Sequence, residues 1–220
     1  MKAMLLAAGR GTRLGHITQT CPKPLLKIQG QHTLIDYHLR HLAEAGVQEC
    51  VINVNHLGHL IQQHVQDGQA YGLKVVYSVE TIHLETGGGV KNALPLLGPD
   101  PFIVISADIW CHYPLAQLKA PKGLAHLVLN DRLPNKKGDF ALHENFVSCY
   151  GYNRLNYAGI CVLRPELFLE STASSFPLID VWRSACHEGK VSGEYYSGLW
   201  FNVGDTKTLE QIQRYSFEYI

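Results

Sequence analysis

The sequence predicts an α/β fold in which a mostly parallel mixed sheet is flanked by helices. Short apolar segments alternate with helical segments as far as about residue 115, and this rhythm predicts right-handed crossovers between parallel strands. The segment 102–105 is continuously apolar, as expected for a strand that is covered on both faces. Beyond residue 115 the apolar segments become shorter and polar turns separate them, which adds a small β subregion to the prediction.

The elements of the first half follow from the spacing of apolar residues. The run from Met4 to Ala8 predicts a buried first strand. Apolar residues at helical spacing, beginning after Gly30 and ending at Gly46, predict a helix over residues 32–46. The other elements predicted in this half are strands at 51–54, 73–77 and 102–105 and helices at 57–65 and 86–97.

The second half gives weaker but readable patterns. Residues 130–157 are rich in Asn, Gly, Lys and Tyr, and we expect exposed loops and a hairpin there, beside the ligand pocket. Asp205 is well placed to cap the last helix. The elements predicted in this half are strands at 124–129, 140–142, 157–163 and 191–200 and helices at 180–187 and 206–215.

The composition excludes several classes of protein. The formal net charge of zero argues against bulk electrostatic binding of nucleic acid or of an anionic membrane. No segment reaches the roughly 18 apolar residues of a membrane span, and the first apolar run is too short for a signal peptide. The six cysteines are scattered without C-x-x-C pairs, so we expect free thiols. We therefore expect a cytoplasmic protein whose partners are neither nucleic acid nor membrane.

The segment after the first strand has the residues of a phosphate-binding loop. Gly9 and Gly11 let the backbone come close to a ligand and turn N–H groups toward it. Arg13 supplies a planar guanidinium for phosphate, and Lys23, between two prolines, supplies a point charge from a stiff backbone. The spacing is neither that of a Walker loop nor that of G-x-G-x-x-G, since no Gly-Lys-Ser/Thr follows and position 14 is leucine.

Two further features fall at the ends of predicted strands, where open α/β sheets bind their ligands. Gly87-Gly88-Gly89 opens a helix and permits the close approach of a flat group or a phosphate, although a flexible helix entry would explain it too. Asp108 closes the buried strand at 102–105, and a carboxylate facing a phosphate loop suits Mg²⁺.

The strings Ala-Ala-Gly-Arg-Gly-Thr-Arg-Leu (7–14) and Pro-Lys-Pro-Leu (22–25) resemble the opening of the sugar-1-phosphate nucleotidyltransferases. This resemblance implies a Rossmann-like nucleotidyltransferase fold, Mg²⁺, and in-line attack of a sugar-1-phosphate on a nucleoside triphosphate. It implies one domain (1–220) with a nucleotide-binding half (1–115) and a sugar-phosphate-binding half (116–220). The implied catalytic residues are Arg13 and Lys23. The implied nucleotide-binding residues are Leu6, Ala8, Gly9, Gly11, Thr12, Arg13, Lys23, Gly87 and Gly88; the implied metal ligands are Asp108 and Asn202.

The metal site departs from the family pattern. The usual late motif is Trp-x-Asp-x-Gly-Thr, whereas this chain has Trp200-Phe201-Asn202-Val203-Gly204, so an amide replaces the second carboxylate. An amide oxygen can ligate Mg²⁺ but brings no charge. Asp205 lies nearby and is an alternative source of charge. The departure leaves open a binding protein with reduced turnover.

Four segments in the chain are similar to those of N-acetylmuramate-1-phosphate uridylyltransferases of cell-wall recycling, namely 93–98, 123–129, 138–140 and 190–194. This similarity implies UTP and N-acetylmuramate-1-phosphate as substrates. Other bases and acceptors remain open, such as GTP with mannose-1-phosphate, and we expect a monomer or a small homo-oligomer. The candidate sugar-binding residues are Glu85, Asp139, Tyr157 and Gly159, although Tyr157 could serve sheet packing and Asp139 a turn.

Overall fold

A computed structural model of the chain describes residues 1–133 and 137–215. Within these residues, one large sheet has nine strands in the order β5-β4-β1-β6-β11-β8-β12-β10-β9, and two pairs of strands, β13-β7 and β2-β3, stand beside it. The strands are β1 Ala3–Leu6, β2 Lys27–Gln29, β3 His32–Thr33, β4 Glu49–Val54, β5 Lys74–Val79, β6 Phe102–Ser106, β7 Ile109–Cys111, β8 Ala125–Asn130, β9 Ala141–His143, β10 Phe146–Ser148, β11 Asn156–Leu163, β12 Val191–Tyr195 and β13 Trp200–Asn202.

The direction of the strands divides the large sheet. Strands β5, β4, β1 and β6 are parallel neighbours, as the alternation of strand and helix predicts. Strand β11 runs antiparallel between β6 and β8, and β12 is again parallel to β8. The carboxyl ends of β1, β6, β8 and β12 therefore lie at one edge of the sheet, which is where the α/β fold places a ligand. The predicted α/β class with a mixed, mostly parallel sheet is confirmed.

The helices cover both faces of this sheet. They are α1 Ile17–Thr20, α2 Leu34–Glu44, α3 Gly58–Val65, α4 Glu85–Leu97, α5 Leu178–His187 and α6 Thr206–Tyr215. Helix α2 begins with a capping box, because Asp36 N–H donates to Thr33 Oγ1 and Thr33 N–H donates to Asp36 Oδ2. Asp205 caps α6 as predicted, since Thr208 N–H donates to Asp205 Oδ1 at 2.8 Å.

Alternation along the buried strands gives the chain two apolar cores. Leu5 and Ile52 point to the face covered by α2 and α3. Met4 and Val51 point to the opposite face, which α4 and α5 cover. Burial of each such side chain stabilises the fold by about 1.5–3 kcal/mol. All six cysteines are free thiols, as predicted.

The segment 191–200, predicted as one strand, is two strands in different sheets. Strand β12 ends at Tyr195, and Tyr196 N–H still donates to Leu129 O at 2.8 Å. The chain then turns, and β13 pairs with β7 instead. This ribbon packs with α6 in a third apolar cluster around Trp110, Val203 and Ile212. The turn brings Asn202 to the ligand edge, so the correction bears directly on the site.

The segment 130–157 contains the predicted hairpin, β9 with β10, but its predicted place beside the pocket is wrong: the hairpin ends the sheet far from β1 and β6, and no described residue of the segment lines the cavity. Residues 134–136 of that segment lie outside the described part, so nothing is assigned to them. The large sheet runs without interruption from the first half of the chain into the second, because β6 pairs with β11. In residues 1–133 and 137–215, no helix combines the length and the apolar character that crossing a membrane requires.

Candidate functional site

A cavity of about 610 Å³ opens at the carboxyl ends of β1 and β6. Its wall is made by the loop after each strand, by the first turn of α4 and by the end of β13. A volume of this size suits a ligand as large as a nucleotide. The predicted site residues that line it are Leu6, Ala8, Gly9, Gly11, Thr12, Arg13, Lys23, Glu85, Asp108 and Asn202.

The phosphate loop is fixed around one glycine. Gly11 has φ +63, which glycine adopts without strain, and a Cβ there would lie 2.9 Å from Thr18 Cγ2. The buried Thr18 hydroxyl donates to Gly11 O at 3.1 Å and lies 3.3 Å from Gly15 O. These protein contacts hold the shape of the loop.

Lys23 and Asp108 form the central charge pair of the cavity. Lys23 Nζ lies 2.7 Å from Asp108 Oδ2, although the two residues are 85 positions apart in the chain. The lysine side chain is 8% exposed and the aspartate side chain 34% exposed. The ammonium has three donors, so it can hold the carboxylate and still donate to a phosphate oxygen in the cavity.

Asn202 and Arg13 both lie next to Gly204 in the cavity wall. Val203 N–H donates to Asp108 O at 2.8 Å, which fixes the end of β13 against the residue that follows β6. A Cβ on Gly204 would lie 3.1 Å from Arg13 Nη1 and 3.4 Å from Asn202 Oδ1. The absence of a side chain at Gly204 thus leaves room for both the Arg13 guanidinium and the Asn202 amide.

The donor set fits a magnesium ion that also binds substrate phosphates. Asp108 offers a partly exposed carboxylate, and Asn202 offers an amide oxygen from the neighbouring strand. Mg²⁺ commonly takes one or two protein oxygens and completes its shell with phosphate oxygens and water. Among the described residues, no group of three or more His, Cys, Asp or Glu side chains assembles for a metal. These two residues alone would not hold the ion well, so the triphosphate would supply further ligands.

Gly87 and Gly88 do not line the cavity. Their N–H groups donate to Phe176 O, at 2.8 and 3.1 Å. A Cβ on Gly87 would lie 2.4 Å from the Phe176 ring, and one on Gly88 would lie 2.2 Å from Ser174 O. These glycines permit close packing of another protein segment, and the predicted nucleotide contact does not follow from this geometry.

Three of the four candidate sugar residues lie outside the cavity lining. The Asp139 carboxylate accepts a hydrogen bond from Tyr157 N–H at 3.0 Å, and the Tyr157 ring packs on Trp182 with centroids 4.5 Å apart. Burial raises the pKa of Tyr157 well above its usual value. Gly159 has φ +83, and a Cβ there would lie 2.8 Å from Ile109. The turn and packing roles therefore account for these residues, and only Glu85 of the four reaches the cavity.

Sequence reasoning missed a buried polar pair in the cavity wall. Asn53 Oδ1 accepts a hydrogen bond from Ala7 N–H at 2.8 Å, and its Nδ2 donates to Glu80 Oε1 at 2.7 Å. Burial is the main cause that raises the pKa of Glu80. A Cβ on Gly89 would lie 2.7 Å from Glu80 Oε1, so the third glycine of the triple makes room for the pair. The sequence carries one signal for this pair: Asn53 is a polar residue within the apolar strand β4, and Glu80 directly follows strand β5.

The Nucleotidyl transferase family model matches residues 2–122. The N-acetylmuramate alpha-1-phosphate uridylyltransferase of Neisseria meningitidis serogroup B is 40% identical over 97% of this chain and 97% of its own length. The enzyme of the same name from Caulobacter vibrioides is 33% identical over 92% of this chain and 91% of its own. These matches confirm the resemblance that the first 25 residues predict.

The solved structures agree at the level of the fold. A Bacillus anthracis protein assigned to the glucose-1-phosphate thymidylyltransferases, and crystallised with sucrose, superimposes with a TM-score of 0.86. The match covers 100% of this chain and 96% of that one, at 20% sequence identity. At this identity the likeness concerns the arrangement of helices and strands, and it confirms the Rossmann-like nucleotidyltransferase fold.

Proposed function

The chain belongs to the nucleotidyl transferase family, and from this premise we propose that it transfers uridylyl from UTP to N-acetylmuramate-1-phosphate and releases pyrophosphate. The observation that carries the proposal is the Lys23–Asp108 pair in a cavity lined by the phosphate loop. Two relatives named for this reaction match the chain nearly end to end. Such a reaction would place the protein in the recycling of cell-wall sugars.

The proposed chemistry is an in-line displacement at phosphorus. An oxygen of the sugar-1-phosphate attacks the α-phosphorus of UTP, a new P–O bond forms, and pyrophosphate leaves on the opposite side. Nucleophile and leaving group are both already anionic, so catalysis depends on positioning and on neutralising charge. No protein residue needs to form a covalent intermediate.

Each charged residue of the cavity has a place in this chemistry. The Gly9–Thr12 backbone and Arg13 would hold the β- and γ-phosphates, which become the leaving group. Lys23, beside the reaction centre, would hold the α-phosphate and stabilise its added charge in the transition state. Asp108 keeps the Lys23 ammonium in place through the 2.7 Å contact. Asp108 and Asn202 would hold Mg²⁺, which when bound neutralises triphosphate charge.

Glu80 supports the choice of a base with an imide group. Glu80 is a buried residue of the cavity lining, and its carboxylate accepts hydrogen bonds from Asn53 Nδ2 and from the backbone of Leu84. An ionised carboxylate only accepts hydrogen bonds, so it favours uracil, whose N3 carries hydrogen. A carboxylate that faces N3 would be repelled by the lone pair of cytosine there, whereas the N4 amino group of cytosine is a donor, so the discrimination requires that Glu80 face N3. The same argument admits guanine and thymine, and the choice of UTP among these bases is drawn from the relatives.

The proposal also covers the cellular compartment, the oligomeric state and the division of the chain between the two substrates. The substrates are small phosphorylated molecules of the cytoplasm, and the six free thiols suit a reducing compartment. We therefore propose a cytoplasmic enzyme that acts as a monomer or a small homo-oligomer, with residues 1–115 serving the nucleotide and residues 116–220 the sugar phosphate.

Asn202 favours a second candidate function, a nucleotide-sugar binding protein with little turnover. An amide in place of a carboxylate removes one negative charge from the metal site. The two candidates separate in one assay of pyrophosphate release, with Mg²⁺, UTP and N-acetylmuramate-1-phosphate. Release that requires both substrates supports the transferase. Nucleotide binding by calorimetry without release supports the binding protein.

A further inference from the structure

Glu85, the first residue of α4, has a backbone that an ordinary helix start does not explain. Its φ is +57, in the left-handed region that disfavours residues with a side chain. The other described residues with a side chain and a positive φ lie outside the cavity lining; they are Leu57, Gln66, Glu144 and Asn153. Glu85 does line it. Backbone strain that persists at a cavity wall is a reason to look for a function there.

The strap, residues 171–178, holds the chain on both sides of Glu85. Phe176 N–H donates to Leu84 O at 3.2 Å, on the side before it. On the side after it, Leu178 N–H donates to Thr86 Oγ1 at 2.9 Å. Gly87 and Gly88 then donate to Phe176 O, as described above. The conformation of Glu85 is thus fixed by hydrogen bonds to its neighbours.

The strap, whose Pro177 lines the cavity, has two further anchors. Lys91 Nζ, in the second turn of α4, donates to Ser171 O and also to Ala173 O at 3.3 Å. Ser175 Oγ donates to His83 O at 3.2 Å. Lys91 does not line the cavity, so it offers a way to loosen the strap without touching a ligand.

Glu85, an exposed residue of the cavity lining, carries a carboxylate, which does not suit phosphate. The basic groups of the cavity, Arg13 and Lys23, serve phosphate, whereas a carboxylate accepts hydrogen bonds from hydroxyl groups. We propose that Glu85 determines specificity by accepting hydrogen bonds from hydroxyl groups of a sugar ring, and that the strap positions it. The inference rests on the proposed function. The ring is either the ribose of the nucleotide or the hexose of the acceptor.

The test compares Glu85→Gly with Glu144→Gly in the full chain. Both glutamates have positive φ, +57 and +56, but Glu144 is an exposed turn residue outside the cavity. Glycine relieves the backbone in each case, so both variants should unfold at higher urea concentration. Only Glu85→Gly should lower kcat/KM, by about tenfold or more. Unchanged kinetics in Glu85→Gly would overturn the proposal.

The kinetic constants distinguish the two rings. An increased KM for UTP, together with loss of the preference for UTP over 2′-deoxy-UTP, assigns Glu85 to the ribose. An increased KM for the sugar-1-phosphate assigns it to the hexose. Calorimetric affinities for each substrate test the same point without turnover, so an inactive wild type would contradict the proposed function and leave this test intact.

A double-mutant cycle tests the strap. Lys91→Met should increase the same KM as Glu85→Gly, and the double variant should be no worse than Glu85→Gly alone, because the strap acts through Glu85. Lys91→Arg should restore the KM. Additive effects in the double variant, or a lower stability in Lys91→Met with no change in KM, would overturn the positioning role.

Discussion

Lys23 Nζ lies 2.7 Å from Asp108 Oδ2, which joins the basic loop after β1 to the acidic end of β6. The lysine stem is almost completely buried, whereas a third of the aspartate side chain faces outward. A buried stem holds the ammonium in one position, and the contact with the carboxylate fixes it beside the cavity. This pair places a fixed positive charge where the proposed reaction needs it.

Lys23→Ala should therefore lower turnover by about 10²–10³-fold, as the loss of one preorganised donor to a transition state typically does. The affinity for the sugar-1-phosphate should change much less. Steady-state kinetics and calorimetry give the two quantities. Lys27→Ala is the matched control, since Lys27 is exposed and its Nζ contacts Gln31. Equal turnover in Lys23→Ala and wild type would remove Lys23 from the mechanism.

Asn202→Asp should strengthen the metal site. A second carboxylate beside Asp108 adds negative charge for the ion, so the Mg²⁺ concentration for half-maximal activity should fall by about tenfold. Titration of activity with Mg²⁺ measures it. Asp205→Asn should leave the titration unchanged, because Asp205 caps α6 and asparagine caps a helix equally well. A Mg²⁺ dependence that shifts only in Asp205→Asn would place the second ligand there instead.

Glu80→Gln should weaken discrimination between bases. Glutamine offers both a donor and an acceptor, so the preference for UTP over CTP should fall by about tenfold. Because the pKa of Glu80 is raised, acidification of the wild-type protein should protonate Glu80. The preference for UTP over CTP should then fall, as it does in Glu80→Gln. Competition assays with both nucleotides at several pH values measure this. Glu49→Gln is the control, since its partners are Lys2 and Lys74, outside the cavity. An unaltered preference in Glu80→Gln would show that another group selects the base.

Asp36→Asn should destabilise the fold by about 2 kcal/mol, because the buried carboxylate that completes the capping box of α2 loses its charge. Burial alone would raise the pKa of Asp36, but hydrogen bonds from Tyr71, Thr33 and His64 lower it below its ordinary 3.8. Because the pKa of Asp36 is lowered in the folded protein, its charge stabilises the fold at pH values above the ordinary pKa. This stabilisation is lost as the pH falls through the pKa of Asp36 in the folded protein. The difference between variant and wild type should thus be full at about pH 7 and shrink below about pH 4.

Urea unfolding at a series of pH values checks this result. Asp67→Asn serves as the control, since Asp67 is exposed and its side chain accepts a hydrogen bond from Gln69 N–H, outside the Asp36 cluster. A difference for Asp36→Asn that stays constant down to about pH 3 would mean that its charge does not stabilise the fold.

The local part of the site was predictable from the sequence, and the assembled part was not. The phosphate loop is one continuous segment of the sequence, so its glycines and Arg13 predict phosphate binding without knowledge of the fold. Asn53 comes to the loop only because β4 pairs with β1 in a register that sets Asn53 opposite Leu6. No local pattern states that register.

The triple glycine shows a second limit. A glycine in a sequence indicates that another group packs closely against the backbone, but it does not identify whether that group is a ligand or another part of the protein. At Gly88 the neighbour is Ser174 of the strap, and at Gly89 it is the Asn53–Glu80 pair. The break at residues 196–199 has a local turn signal, Ser197-Gly198, but that pair does not state that the chain changes sheet there.

The most direct test of the central claim is pyrophosphate release with Mg²⁺, in a matrix of four nucleoside triphosphates and several sugar-1-phosphates. We expect pyrophosphate release with UTP and N-acetylmuramate-1-phosphate together, and no release when either substrate is omitted. Pyrophosphate release with GTP and mannose-1-phosphate would be consistent with the proposed role of Lys23 but would contradict the proposed substrates. No release with any pair, while UTP still binds, would contradict the transferase and favour the nucleotide-sugar binding protein.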